Sequence, residues 1–119
     1  MTEPLTPAQV VAHLAALSRE LDATVDELHR SDLAAFEAER AHDAAFARAY
    51  FTAEGPVEDR KRRADLNTMS ERESAEVAHA ARDYAKNRLR SIERRIDVGR
   101  TYSAAVRAEV SLAGRDGTA

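Results

Sequence analysis

The stretch RAYFTAEGPVEDRKRRA, residues 48–64, decides how this chain folds. On both sides of it the sequence is rich in helix formers, whereas Glu54-Gly55-Pro56 opposes a continuous helix. Gly can take the left-handed conformation that closes a helix, and Pro cannot continue the preceding helix but can begin the next. The turn is therefore placed at 54–56, with a first helix over about 7–53, a second over about 56–113, and residues 114–119 as a disordered tail. Residues 7–53 number 47, a helix of about 70 Å at ~1.5 Å per residue. Such a helix needs a packing partner. The expected fold is all-α: a long antiparallel helical hairpin, coiled-coil-like, forming a single domain over 1–113.

Outward from the turn, the start of the first helix is marked by Thr6, Pro7 and Gln9 at N-cap, N1 and N3 of a capping box, with Leu5 and Val10 as its hydrophobic staple. Apolar residues then recur at Val10, Leu14, Leu17, Leu21, Val25 and Leu28, and the expected seam shifts to Leu33, Phe36, Ala44, Ala47 and Phe51. In the second helix, Leu89, Ile92, Ile96, Gly99, Ser103, Val106 and Val110 alternate steps of three and four, a heptad. Residues 58–74 are far less regular, and a kink or fraying is expected there. Folding at Gly55-Pro56 pairs residues whose numbers add to roughly 110: Leu14 with Ile96, Leu17 with Ile92 or Glu93, Leu21 with Leu89, Val25 with Ala85, Phe36 with Ala75 and Phe46 with Ala64.

The second helix overhangs the start of the first, so Val106, Val110 and Leu112 await cover from Met1 to Leu5 or from another chain. A two-helix hairpin buries only one stripe per helix, and the sequence therefore predicts a homo-oligomer, a helical bundle associating through Ile92, Ile96, Gly99, Val106 and Val110. Gly99 at a core heptad position has two readings, close approach of another backbone or a tolerated weak spot.

Composition narrows the chemistry. Aromatics make up 5% of 119 residues, with no Trp and no Cys. Thin helix–helix seams suit that inventory, and disulfides, thiolate metal sites and thiol catalysis are excluded. No stretch approaches the roughly 20 apolar residues that span a bilayer, and residues 1–10 lack a secretory pattern. No membrane association and a cytoplasmic location are expected. No phosphate loop, nucleophile elbow or Ser/His/Asp arrangement is present, so no enzymatic activity, catalytic residue or cofactor is expected.

Charge is unevenly distributed. Residues 7–53 carry 4 basic and 8 acidic side chains, and residues 56–113 carry 13 and 10, within a net charge of −3. One reading is a nucleic-acid contact through Arg60, Lys61, Arg62 and Arg63 near the turn together with Arg88, Arg94 and Arg95. The reading ranked above it is that flanking charges of opposite sign select the antiparallel pairing of the two helices. Three of the four histidines follow an acid by three positions: Asp26 and His29, Glu39 and His42, Glu76 and His79. Acid-x-x-His places two metal ligands on one helical face, as in di-iron bundles. The pairing brings His29 toward His79, so a metal site, ranked third, would use His29, Glu76 and His79. Favourable exposed neighbours on a helix explain the same spacing without any metal.

The turn GPVEDRKRRA, Gly55 to Ala64, and the segment RIDVGRTYSAAVRAE, Arg95 to Glu109, resemble small helical proteins of actinobacterial bacteriophages and prophages. Val57, Glu58, Arg60 and Lys61 match the turn motif of that group, and Ile96, Asp97, Val98, Gly99 and Arg100 its C-terminal motif. The resemblance spans most of residues 40–110 and implies a phage accessory protein in DNA replication or recombination. The leading expectation is a non-enzymatic interaction or adaptor protein with a protein partner, ahead of the nucleic-acid and metal readings.

Overall fold

The computed structural model describes residues 5–116. Those residues form α1 (Pro7–Thr52), α2 (Val57–Asn67) and α3 (Met69–Asp116), with no strand among them. The chain is an all-α helical hairpin in which α2 and α3 return antiparallel to α1. The capping box closes the start of α1 reciprocally. The Thr6 N–H donates to Gln9 Oε1 at 2.8 Å, and the Gln9 N–H donates to Thr6 Oγ1 at 3.2 Å. At the turn Gly55 has φ +108°, a left-handed conformation that disfavours any side chain, although the space around it is open. Glu58 and Asp59 then lie in the first turn of α2, where their charge suits the positive end of the helix dipole.

The expected second helix is two helices. At Thr68 the backbone N–H turns to Asp65 O at 3.4 Å, and the side-chain hydroxyl donates to Ala64 O at 2.7 Å. The hydroxyl thus takes the carbonyl that a continuing helix would have offered to the Thr68 N–H, and the ladder breaks there. Arg72 Nη2 reaches back to Asp65 Oδ1 at 3.2 Å and ties α3 to α2 across the break. At the other end, α3 continues through Gly114 to Asp116 rather than closing at Ala113. A single Gly lowers helix propensity without forbidding the helix. Of the expected tail, 114–116 are therefore helical, and 117–119 lie outside the described residues.

Burial corrects the seam expected in α1. With Glu20, Glu27, Phe46 and Tyr50 half-buried at its flank, a row of buried and half-buried positions runs through Val10, Leu14, Leu17, Leu21, Thr24, Leu28, Ser31, Ala35, Ala38, His42, Ala45 and Ala49. Their steps of four and three never break, a heptad along the helix. Val25, Leu33, Phe36 and Phe51 are exposed instead, with Phe36 at 61% beside Ala35 at 0%. The heptad of the returning chain likewise extends back from Leu89 through Ala85, Arg82, Ala78, Ala75 and Glu71 to Thr68. Ala35, Ala64, Ala75 and Ala85 are buried, so the facing helix must approach their backbones closely, as it can only where side chains at the contact are small. Thr24 occupies a core position with its hydroxyl satisfied by Glu20 O at 2.8 Å.

The hairpin comprises two compact units. One lies within Met1–Val25 and Asn87–Ala119, and the other is Asp26–Lys86. Large aliphatic side chains centre the first, with Leu17, Ile92 and Ile96 clustered and Leu21 packed against them. Small residues, Ala35, Ala64 and Ala75, supply buried positions in the second. Among the described residues no helix is long and apolar enough to cross a membrane.

Candidate association surface

The five residues expected to associate divide sharply. Ile92 and Ile96 are buried within the hairpin core itself, so they are spent on folding and leave no surface for a partner. Gly99 is half-buried, and a Cβ built on it would lie 2.7 Å from Leu14 Cδ2. The glycine therefore receives a side-chain knob from α1, not the neighbouring backbone that was one reading of it. Val106 is half-buried and Val110 is 60% exposed.

Beside the Leu14–Gly99 contact runs an apolar groove of about 430 Å³, with Leu5, Val10, Leu14, Val98 and Tyr102 as its apolar lining and His13, Ser91, Arg94 and Arg95 as its polar residues. Leu14 opposite Gly99 sets a register in which facing residue numbers add to about 113. On that register Val106 stands opposite the start of α1, while Val110 and Leu112 lie past the described part of the N-terminal segment. Val98, Val110 and Leu112 are all exposed. Of the segment Met1 to Leu5 proposed to cover them, Met1 to Pro4 lie outside the described residues.

The basic residues do not behave as one group. Arg60 is drawn into the turn: its guanidinium carbon lies 4.5 Å from the centroid of the Tyr50 ring, and Nη2 donates to Tyr50 O at 3.2 Å. It stabilises a carbonyl in the last turn of α1, where no other basic residue stands. Arg60 thus stabilises the turn. Lys61 lies 3.9 Å from Glu58, and Arg62 and Arg63 are exposed. Arg88 lies 3.9 Å from Glu20 within the other unit, an opposite-charge pair of the kind expected to select antiparallel pairing. Arg94 and Arg95 belong to the apolar groove.

The histidines are also rearranged. His79 Nε2 lies 2.9 Å from Glu39 Oε2 on the opposing helix, whereas His29 is exposed and stands outside that cluster. The expected His29–His79 pairing assumed a register near 110. In this unit, Glu39 and His79 give 118, a shift of about two helical turns along α1. Glu39, His42 and Asp43 present ligand atoms all within 4.8 Å of one another, a grouping the sequence reading missed. Its signal was visible in Glu39-x-x-His42 and Glu76-x-x-His79, whose acid and histidine positions interchange when the helices run antiparallel. Comparison with family models, curated proteins and solved structures finds no match for this chain.

Proposed function

We propose that this chain is a non-enzymatic interaction protein that self-associates through the α3 overhang, and that it serves as an adaptor in phage or prophage DNA replication or recombination. The observation that carries the association is the exposure of Val110, the last position of the hairpin's own heptad, in a helix that runs on beyond the start of α1. A heptad seam is complementary to another helix carrying the same seam. The occupant we assign is therefore a second copy of this chain, its α3 overhang laid against the first in an isologous contact. The phage setting rests on the resemblance of Gly55 to Ala64 and Arg95 to Glu109.

Light scattering on the full chain tests this. The expected result is a dimer that dissociates in Val110→Asp with helix content unchanged, because Val110 contributes little to the hairpin's own core. A monomeric parent chain, or a dimer indifferent to Val110→Asp, overturns the reading. The exposed pair Arg62 and Arg63 favours a second reading, contact with nucleic acid near the turn. Salt-sensitive retention on DNA that falls when both are changed to Ala would support it.

A further inference from the structure

We propose that Glu39, His42, Asp43 and His79 form a binding site for a divalent first-row transition metal ion. Glu39, His42 and Asp43 lie at i, i+3 and i+4 of α1, which puts all three on one face of the helix. Their ligand atoms fall within 4.8 Å of one another. His79 arrives from α3 with Nε2 2.9 Å from Glu39 Oε2. Zinc-type ions hold nitrogen and carboxylate oxygen at roughly 2.0–2.2 Å. Donors around one ion are then separated by roughly 3 to 3.5 Å, so Glu39, His42 and Asp43 must draw together, and His79, which now touches Glu39, must swing toward His42 to complete the site. All four lie within the Asp26–Lys86 unit.

His42 provides a second, independent observation. Its side chain is 15% exposed, Nδ1 lies 3.1 Å from Asp43 Oδ1, and Nε2 is buried with no hydrogen-bond partner. A buried ring nitrogen without a partner is uncommon in a settled core. An ion at Nε2 would leave Asp43 as the carboxylate that orients His42 through Nδ1, as carboxylates orient metal-bound histidines, with Glu39 and His79 as the other ligands. An ion held at Nδ1, with Asp43 turning to share it, is the alternative geometry within the same donor set.

The surroundings suit a cation. A solvent-open groove of about 310 Å³ is lined by Glu39, His42, Glu76 and His79, so an ion can reach the donors and Glu76 adds a carboxylate beside them. Arg72 also lines the groove, but its guanidinium is engaged by Asp65 at 3.2 Å and its charge is offset there. Two imidazoles with carboxylates favour zinc, cobalt, nickel or iron over calcium or magnesium, which prefer all-oxygen sites.

The test uses the tag-free full chain with Co²⁺ as a spectroscopic probe and Zn²⁺ in calorimetry. The expected result is visible d–d absorption on adding Co²⁺, displaced by Zn²⁺. Affinity should fall at least ~10-fold in His79→Gln and in Glu39→Gln, and stay unchanged in His29→Gln and His13→Gln. His42→Gln should behave as His79→Gln does. If its buried position lowers helix content, the more exposed Glu39 and His79 variants decide alone. Absence of d–d bands and of Zn²⁺ heat overturns the proposal, as does binding that persists at parent affinity in His79→Gln and Glu39→Gln. That result would leave Glu39 and His79 as an interhelical hydrogen-bonded pair.

Discussion

Exchanging the roles of Ala35 and Phe36 gives the sharpest test of how this hairpin is built. Hydrophobic size alone places Phe36 in the seam, and truncating a core Phe to Ala destabilises by about 3–5 kcal/mol. With 61% of Phe36 exposed, only the buried remainder is lost in Phe36→Ala. The better helix propensity of Ala returns up to about 0.5 kcal/mol, so the net change should stay below about 1 kcal/mol. Ala35 is 0% exposed against the facing helix, and Ala35→Leu forces extra carbon atoms into a contact that has no room for them. Overpacking of this kind destabilises by about 1–3 kcal/mol, a large part of the 5–15 kcal/mol typical of a whole domain. Urea unfolding followed by far-UV circular dichroism reads both variants, and the slope of each transition shows whether the unfolded surface has changed. If Phe36→Ala proves more destabilising than Ala35→Leu, the small-residue heptad is not the seam, and the burial pattern of α1 must be replaced.

Two further substitutions test named contacts. Gly99→Ala gains about 1 kcal/mol of helix propensity, but its Cβ starts 2.7 Å from Leu14 Cδ2. The expected net is within about 1 kcal/mol of the parent chain in thermal unfolding, because the far end of Leu14 can turn aside, whereas Gly99→Val should be clearly destabilising. Arg60→Ala removes the hydrogen bond to Tyr50 O and the contact with its ring. It should lower stability by about 1–2 kcal/mol, while Arg62→Ala and Arg63→Ala stay within about 0.5 kcal/mol; equal effects for all three would remove Arg60 from the turn.

The parts of this fold that sequence made legible are those fixed by local chemistry. Thr6 and Gln9 could be read as a capping box because that motif is complete within four residues, and Gly55 as the turn because few other residues tolerate its φ. The large-residue half of the α3 heptad, Leu89 to Val106, was legible because bulk and position coincide there. In α1 beyond Leu21 they separate: Thr24, Ser31 and Ala35 occupy the seam, and no hydropathy scale ranks them above Val25, Leu33 and Phe36. The facing helix decides that contest, and a single helix read alone does not contain it. The same missing register hid the histidine cluster. Offsetting α1 by two turns replaces His29 with residues around Glu39 as the partner of His79.

An alanine-rich seam raises the problem of how register is held at all, since small side chains put up few steric barriers to sliding one helix by a heptad. The terminal unit answers it sterically. Leu14 projects onto Gly99, where no Cβ stands in its way. A slip of seven residues along α3 would bring Leu14 against Ile92 or Val106, branched side chains in place of an open notch. On this account Gly99 is retained at some loss of helix propensity because it makes the native pairing sterically different from its neighbours. It follows that Gly99→Val should broaden the ensemble as well as lower stability, and hydrogen exchange would show this as lost protection along both helices of that unit, not at the substituted turn alone.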